Sequence, residues 1–283
     1  MKIITKTNDM HSFSKGGKKE GKTIALVPTM GYLHEGHLSL VKKAKEREDI
    51  VVVSIFVNPI QFAPNEDFST YPRDEKRDIK LLEELKVDAV FIPNVDEIYN
   101  KDFQTNVAVA RLTQKLEGEF RPAHFKGVTT IVAILFNCVK PDIAIFGQKD
   151  AQQAAVIKQM VKDLKFNIEI IIVPIVRETD GLAMSSRNIY LSEQERKDAL
   201  VIYRSLLEAN NIIKTGERNV NLLIQKMSEI INSVNTSKID YVRIVSAADF
   251  YEVQTLDPGK EYYILVACRI GETRLIDNLL VKL

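Results

Sequence analysis

Strong net charge, numerous cysteines and long hydrophobic runs are all missing from this 283-residue sequence. A formal net charge of +1 at pH 7 argues against a nucleic-acid-binding surface, which normally shows a large basic excess. The two cysteines, Cys138 and Cys268, lie in apolar runs and are typical of core residues in a reducing compartment. No apolar stretch reaches the roughly 18 residues of a membrane span, and the start lacks a signal peptide's apolar core. We therefore expect a cytoplasmic protein with neither membrane nor nucleic-acid partners.

Apolar, β-branched runs alternate with amphipathic segments as far as residue 177. Such alternation predicts an α/β fold with a Rossmann-like parallel sheet and helices on both faces. The predicted strands are Thr23–Val27, Ile50–Val57, Ala89–Ile92, Val107–Ala110, Ile143–Phe146 and Ile168–Val173. The predicted helices are Leu38–Glu46, Arg73–Leu85, Val128–Val139 and Asp150–Leu164. The Lys/Gly-rich segment Lys15–Lys22 is predicted to be a solvated loop.

The pattern changes near residue 178. Ser192 to Glu195 resembles a capping box, two long helical patterns follow, and three strand-like runs end the sequence. We therefore predict two domains, a Rossmann-like nucleotide- and substrate-binding domain over residues 1–177 and a smaller C-terminal α+β lid domain over residues 178–283.

The segment Pro28 to Leu40, P-T-M-G-Y-L-H-E-G-H-L-S-L, lies between a predicted strand and a predicted helix. A glycine-bearing turn at a helix N-terminus is an anion site, where free backbone N–H groups and the helix dipole point at one spot. His34 and His37 could donate hydrogen bonds to phosphate oxygens. The pattern H-x-G-H resembles that of the class I aminoacyl-tRNA synthetase and nucleotidyltransferase superfamily, which implies ATP binding. Metal binding is less expected, because no cysteine or third ligand lies nearby.

Other polar clusters follow predicted strands, at the sheet edge where ligands of such folds bind. Asn58 and Gln61 suit a small substrate with hydroxyl and carboxylate groups, although Asn-Pro also simply makes a turn. Asp78 could help to hold Mg²⁺, or could only serve a helix dipole. Lys149 could reach a phosphate. Hydroxyls and the guanidinium of the loop Met184 to Arg187 could hold a triphosphate.

Together these segments resemble the pantothenate synthetase family nearly from end to end. The motifs are P-T-M-G-Y-L-H-E-G-H, F-V-N-P-I-Q-F, Y-P-R-D, R-P-A-H-F-K-G-V, F-G-Q-K-D, D-G-L-A-M-S-S-R-N-x-Y-L and R-L-I-D-N. Two positions depart from the family pattern. Tyr32 stands where a small residue is common, and Arg77 stands where some members have a second acid, which weakens a two-carboxylate metal site.

The resemblance implies that pantoate attacks the α-phosphate of ATP and that β-alanine then attacks the pantoyl-adenylate, releasing AMP. It implies catalytic roles for His34, His37, Lys149, Ser185, Ser186 and Arg187. The implied ATP-binding residues are Met30, Gly31, Tyr32, Leu33, His34, Glu35, Gly36, His37, Gly147, Gln148, Lys149, Asp150, Val176, Met184, Ser185, Ser186 and Arg187. The implied pantoate-binding residues, all in the first predicted domain, are Gln61, Gln153, Asn58 and Tyr71, with Mg²⁺ carried mainly by the nucleotide.

Two alternatives stay open on the sequence. A related H-x-G-H nucleotidyltransferase would act on another small acceptor such as a phosphate ester, but the neutral Asn58, Gln61 and Gln153 favour an uncharged or carboxylate-bearing molecule. A nucleotide-sensing or RNA-binding module is disfavoured by the near-zero charge. The resemblance also implies a homodimer, and the apolar runs Val51–Val57 and Val128–Val139 would permit a buried interface.

Overall fold

The alternating apolar runs form a six-stranded sheet in the computed structural model of the chain, which describes residues 1–64 and 66–283. The strands are β1 (Lys2–Ile4), β2 (Ile24–Thr29), β3 (Ile50–Ile55), β4 (Ala89–Phe91), β5 (Ile143–Gly147) and β6 (Glu169–Val173). They pair in the order β1-β4-β3-β2-β5-β6, and every pair is parallel. The strand order reverses at β2, whose neighbours are β3 and β5, and ligands bind at such switch points.

Helices cover both faces of this sheet. They are α1 (Thr7–Lys19), α2 (Glu35–Lys45), α3 (Glu75–Glu84), α4 (Val95–Ile98), α5 (Glu117–Phe120), α6 (His124–Val139) and α7 (Ala151–Leu164). Successive residues of a strand point to opposite faces, and the two faces bury separate clusters. Leu26 of β2 shares one cluster with Phe136 of α6, whereas Val27 shares the other with Val41 of α2 and Leu82 of α3. The predicted Rossmann-like architecture is therefore confirmed.

The C-terminal part combines helices with a small antiparallel sheet, as predicted. Its elements are α8 (Glu193–Asp198), α9 (Leu200–Lys214), α10 (Val220–Ile231), β7 (Ser237–Ser246), β8 (Glu261–Ile270) and β9 (Thr273–Lys282). The strands pair in the order β7-β8-β9. Leu206 of α9, Met227 of α10 and Ile264 of β8 share one buried cluster. The predicted capping box is present, since the backbone N–H of Ser192 donates to Glu195 Oε2 at 2.8 Å and Ser192 Oγ accepts from Glu195 N–H at 3.3 Å.

The chain forms two compact units. The first comprises Met1–Gly147 and Gln152–Pro174, and the second comprises Gln148–Ala151 and Ile175–Leu283. The short segment Gln148–Ala151 thus groups with the C-terminal unit although it directly follows β5. The domains 1–177 and 178–283 remain a prediction from the sequence.

Two predicted elements are wrong. Val107–Ala110 belongs to no strand, because its polar groups bond to threonines of α6: Val107 N–H donates to Thr130 Oγ1 at 3.0 Å, and Val107 O accepts from Thr129 Oγ1 at 2.6 Å. Lys15–Lys22 is not all loop, because α1 continues to Lys19. Gly17 packs directly against Ile50, so tertiary packing overrides the poor helix propensity of glycine.

The apolar runs that could have formed an interface between copies are largely used inside the first unit. Every residue of β3 is buried, and α6 buries most of its length. No helix among residues 1–64 and 66–283 is both long and apolar enough to cross a membrane.

Candidate active site

The segment Met30–His37, here called the histidine loop, connects β2 to α2 through left-handed backbone. Gly31 has φ +81° and Tyr32 has φ +48°. A Cβ atom on Gly31 would lie 3.0 Å from Ile55 Cγ2 and 3.1 Å from Asp78 Oδ2. Glycine is therefore required here both by its backbone angle and by the close approach of two side chains.

Asp78 of α3 anchors the histidine loop. Its side chain is 1% exposed, with Oδ2 accepting the N–H of Tyr32 and Oδ1 accepting the N–H of Leu33, both at 2.7 Å. Burial raises the pKa of Asp78, while these hydrogen bonds oppose the rise. Because both oxygens already accept backbone N–H groups, this carboxylate does not fit the role of a Mg²⁺ ligand. Within residues 1–64 and 66–283, no three His, Cys, Asp or Glu side chains form a group that could hold a metal ion.

Most backbone N–H groups of the histidine loop, which the sequence pattern predicts to be free, already have partners. Besides the two bound by Asp78, the N–H of Gly31 donates to Thr29 Oγ1, and the N–H groups of His37 and Leu38 both donate to His34 O. These N–H groups are bonded either within the turn itself or to Asp78. Most of the donors that this loop can present to an anion must therefore come from its side chains.

The two imidazoles cap α2 through their Nδ1 atoms. Gly36 N–H donates to His34 Nδ1 at 3.1 Å, and His34 N–H donates to His37 Nδ1 at 3.3 Å. The ring centroids lie 4.1 Å apart. A ring nitrogen that accepts an N–H carries no proton, so each neutral ring must be protonated at Nε2. Hydrogen bonding thus fixes both histidines as Nε2–H donors.

Asn58 and Gln61 form a buried amide network beyond the end of β3. Asn58 is 1% exposed, and its Nδ2 donates to Gln61 Oε1 and to Gly127 O, both at 3.1 Å. Its Oδ1 accepts from Tyr99 Oη at 2.7 Å. Since all its polar atoms have partners, Asn58 orients Gln61, whose Nε2 is turned toward Met30 Sδ at 3.0 Å.

Helix α6 packs against this amide network. A Cβ atom on Gly127 would lie 2.6 Å from Gln61 Cα, so the helix approaches the 3₁₀ turn Pro59–Gln61 at a distance that only glycine permits. His124 Nδ1 lies 3.1 Å from Gln61 O, and because a carbonyl only accepts, Nδ1 carries the proton. Burial, together with the charge of Arg121, lowers the pKa of His124 to about 4. His124 is therefore a neutral structural histidine.

Tyr71 and Gln153 were the other predicted pantoate-binding residues. Tyr71 is buried and makes an edge contact with Phe62, with ring centroids 6.0 Å apart. Gln153 is half-buried in α7. Its neighbour Gln152 has a structural role: its Oε1 accepts from Glu117 N–H at 2.9 Å, and its Nε2 donates to Leu112 O at 2.7 Å. Gln152 thus holds the loop that precedes α6.

The 3₁₀ segment Gln148–Asp150, here called the lysine turn, contacts β9 within the second unit. Asn278 is 1% exposed, and its Nδ2 donates to Gln148 O at 2.9 Å and to Lys149 O at 3.0 Å. Gln148 Nε2 donates in turn to Asn278 Oδ1 at 3.1 Å. One buried amide therefore fixes the backbone on which Lys149 stands.

The segment Met184–Arg187, here called the serine loop, is fixed within the same unit. Met184 N–H donates to Val176 O at 3.0 Å, which brings together two predicted ATP-binding residues. Ser185 Oγ accepts from Arg187 N–H at 3.3 Å at the start of the 3₁₀ helix Ser186–Tyr190. Ser186 is buried.

Arg177 and Asp277 form a buried pair beside these segments. Arg177 Nη1 and Nη2 donate to Asp277 Oδ2 at 2.6 Å and Oδ1 at 2.9 Å. Burial raises the pKa of Asp277, while Arg177 opposes that rise. Arg177 also donates to Gly181 O at 3.0 Å and stacks 3.9 Å from the Tyr203 ring centroid.

Sequence reasoning missed the supporting roles of Asp78, Tyr99, Arg177, Asp277 and Asn278. Each acts through hydrogen bonds to a segment far away in the sequence, so no local pattern shows it. One available signal was the polar pair Asp277-Asn278, which interrupts the apolar residues of the run 275–281.

Comparison with known proteins gives a consistent result along the chain. Residues 2–280 match the family model described as pantoate-beta-alanine ligase. The pantothenate synthetase of Thermoanaerobacter sp. (strain X514) is 58% identical over 280 residues, which cover 99% of this chain and 98% of that protein. The pantothenate synthetase of Caldicellulosiruptor saccharolyticus is 55% identical over 282 residues, which cover 100% of both.

Solved structures agree with this. The pantothenate synthetase of Thermus thermophilus superimposes with a TM-score of 0.92 at 43% identity, covering 99% of both chains. A pantoate-beta-alanine ligase from Francisella tularensis, complexed with beta-gamma ATP and beta-alanine, gives a TM-score of 0.81 at 37% identity, covering 99% of this chain and 97% of that one.

Proposed function

This chain belongs to the pantoate-beta-alanine ligase family, and from that membership we propose how its residues carry out the reaction. It is an ATP-dependent ligase that condenses (R)-pantoate with β-alanine through a pantoyl-adenylate, giving pantothenate, AMP and pyrophosphate. The alternative, a related H-x-G-H nucleotidyltransferase acting on another acceptor, is not favoured, because full-length relatives are ligases.

His34 and His37 donate from Nε2 to the phosphate oxygens of ATP. The observation that carries this assignment is that both Nδ1 atoms accept backbone N–H groups, which leaves Nε2–H as the donor of each neutral ring. As the pantoate carboxylate attacks the α-phosphate, negative charge develops on the phosphate oxygens and on the departing pyrophosphate. Donors already in place stabilise that charge without reorganising. The remaining residues of the histidine loop, from Met30 to Gly36, surround the nucleotide.

Gln61 binds pantoate, and Asn58 acts mainly by orienting it. The Asn58 amide donates to Gln61 Oε1, so the Gln61 Nε2–H group is the part left to face a ligand. An N–H donor suits a hydroxyl or carboxylate oxygen. We assign Gln153 to pantoate as well, and Tyr71 to the wall of the same pocket. β-Alanine follows as the second substrate.

The lysine turn and the serine loop bind the triphosphate. Lys149 supplies a positive charge, with Gly147 and Gln148 before it and Asp150 after it in the chain. Ser185, Ser186 and Arg187 supply hydroxyls and a guanidinium, which suits an anion that becomes pyrophosphate. Val176 and Met184, joined by a backbone hydrogen bond, complete the nucleotide contacts.

Mg²⁺ accompanies ATP as a substrate-borne ion. Asp78, the one carboxylate that the sequence suggested for the metal, bonds to backbone N–H groups with both oxygens, so we assign no protein ligand to the ion. A homodimer, which the family resemblance implies, and a cytoplasmic location, which the sequence composition suggests, also remain proposals.

The histidine assignment is tested by the exchange of pyrophosphate into ATP that depends on pantoate. We expect His37→Ala to lower the exchange rate by about 10²–10³-fold, because one donor to developing charge is lost. The amide nitrogen of glutamine reaches the Nε2 position, whereas that of asparagine lies near Nδ1. His37→Gln should therefore retain more activity than His37→Asn.

His11→Ala, which removes a histidine from α1, is the matched control and should exchange at the wild-type rate. An unimpaired His37→Ala enzyme, or a His37→Asn enzyme more active than His37→Gln, would contradict the Nε2 role. Exchange supported by a phosphate ester and not by pantoate would instead favour the nucleotidyltransferase.

A further inference from the structure

The backbone around Lys149 is held by a single side chain from the opposite end of the sequence. Asn278 Nδ2 donates to the carbonyls of Gln148 and Lys149, at 2.9 Å and 3.0 Å. These carbonyls belong to the peptide group immediately before Lys149 and the one immediately after it. Fixing both of them fixes the orientation of the turn itself.

The orientation of these carbonyls decides where the neighbouring N–H groups point. The described residues contain no cis peptide bond, and in a trans peptide the C=O and N–H point in opposite directions. Since the carbonyls of Gln148 and Lys149 point at Asn278, the N–H groups of Lys149 and Asp150 point away from it. Asn278 thus turns two backbone donors toward the side of the turn that does not face β9.

Asn278 is itself locked in place. Its Oδ1 accepts from Gln148 Nε2 at 3.1 Å, and its backbone N–H donates to Asp277 Oδ1 at 2.7 Å. Asp277 pairs with both Nη atoms of Arg177, which precedes the serine loop. The amide of Asn278 therefore has one orientation available to it, with its NH₂ group on the carbonyls of the turn.

We propose that Asn278 is a positioning residue for adenylation, which acts by orienting the lysine turn toward the phosphates of ATP. It does not touch substrate; it holds the Lys149 and Asp150 N–H groups, and the backbone that carries the Lys149 ammonium, in the arrangement that the triphosphate requires. This inference rests on the proposed role of Lys149 in ATP binding.

The test measures the two half-reactions separately. Asn278→Ala removes both donors. Asn278→Asp keeps the size of the side chain but sets a carboxylate against two carbonyl oxygens. Because small displacements of a positioned group cost up to about 10²-fold in rate, we expect both variants to lower pantoate-dependent pyrophosphate exchange by roughly 10–100-fold. Aminolysis of supplied pantoyl-adenylate by β-alanine, which uses no β- or γ-phosphate, should stay near the wild-type rate.

A matched control lies on the same sheet. Arg274 of β9 pairs with Asp240 of β7 at 2.6 Å, away from the lysine turn. Asp240→Asn weakens a partly buried ion pair on the same sheet and should leave the ratio of the two half-reactions unchanged. Thermal unfolding of each variant confirms that the compared proteins are folded.

A double-mutant cycle shows whether Asn278 acts through the turn. If part of its effect passes through the lysine ammonium, Asn278→Ala added to Lys149→Ala lowers exchange less than Asn278→Ala does alone. Equal losses in both half-reactions would overturn the positioning role, and additive effects with Lys149→Ala would overturn the part of it that acts on the ammonium. An unimpaired Lys149→Ala enzyme would overturn the proposed function of the turn, whereas an impaired Lys149→Ala with unimpaired Asn278 variants would overturn only the present inference.

Discussion

The two units hold the turns that we propose as ligand-binding by opposite chemistry. In the first unit, the carboxylate of Asp78 accepts the N–H groups of Tyr32 and Leu33. In the second unit, the amide of Asn278 donates to the carbonyls of Gln148 and Lys149. Each turn is held by one buried side chain. The histidine loop is held through its backbone N–H groups, and the lysine turn is held through its backbone carbonyls.

This difference decides what each turn can offer an anion. A turn held by its N–H groups has few backbone donors left, so the histidine loop presents imidazole Nε2–H groups. A turn held by its carbonyls directs its N–H groups away from the anchoring side chain. In the lysine turn, the charge of Lys149 lies next to these N–H groups. A glycine-rich turn before a helix is therefore not by itself a backbone anion site; the anchoring residue decides that.

The largest expected difference between the units is in their response to acid. All four histidines of the chain lie in the first unit, and His124 has a pKa lowered from 6.5 to about 4 by burial. Its folded-state pKa lies below its unfolded one, so its stabilising contribution is complete above pH 6.5 and is lost as the pH falls toward 4. The loss amounts to about 3 kcal/mol.

Denaturant unfolding at neutral and at moderately acid pH measures this loss. His124→Asn, whose amide nitrogen lies near the Nδ1 position and can donate to Gln61 O without titrating, should lose less free energy of unfolding on acidification than the wild type. His11→Asn is the matched control and should behave as the wild type. Hydrogen exchange should place the acid-induced opening around α6; opening centred on β7–β9 instead would show that the acid-sensitive group is elsewhere.

Asp78→Asn tests whether the histidine loop depends on its carboxylate anchor. The new NH₂ group faces a backbone N–H, so one hydrogen bond is replaced by repulsion and the histidine loop shifts. We expect pantoate-dependent exchange to fall by about 10–100-fold, with a free energy of unfolding lower by about 1–3 kcal/mol. Asp74→Asn is the control, because asparagine caps a helix as well as aspartate does. Wild-type exchange in Asp78→Asn would mean that the loop needs no anchor.

The smallest effect is expected from Tyr99→Phe. This change removes the hydroxyl that donates to Asn58 Oδ1 at 2.7 Å, and a single hydrogen bond contributes about 1 kcal/mol. Asn58 then holds Gln61 less firmly, so the KM for pantoate should rise by roughly three- to tenfold while the KM for ATP stays constant. Tyr251→Phe, on the exposed part of the second unit, should change neither. A rise in the KM for ATP would place Tyr99 in a different network.

Much of the fold could be predicted because burial shows in the sequence. The run Ile50–Ile55 is apolar at nearly every position because β3 is covered on both faces, and the stripe containing Leu223 and Met227 marks the buried face of α10. The failure at Val107–Ala110 has the same origin. An extended apolar segment satisfies its backbone either with another strand or, as here, with threonine hydroxyls, and composition does not distinguish the two.

The candidate site was predictable only in part. Residues that we propose to carry chemistry, such as His37 and Lys149, follow strands and stand out by type. The residues that orient them do not: Asp78 lies more than 40 positions from the backbone it holds, and Asn278 more than 120. Their hydrogen bonds exist only after the sheet has assembled. The sequence also predicts phosphate binding by His34 and His37 without showing which ring nitrogen donates. The hydrogen bonds to Nδ1, which leave the proton on Nε2, are visible only in the structure.

The contact between Gly127 and the 59–61 turn bears on any effort to alter this enzyme's choice of acid. A Cβ atom on Gly127 would lie 2.6 Å from Gln61 Cα, so even a methyl group there would displace the chain segment that carries the Gln61 amide. Under the proposed assignment of Gln61 to pantoate, variants meant to accept a bulkier carboxylic acid should therefore keep Gly127 and change other residues around Gln61.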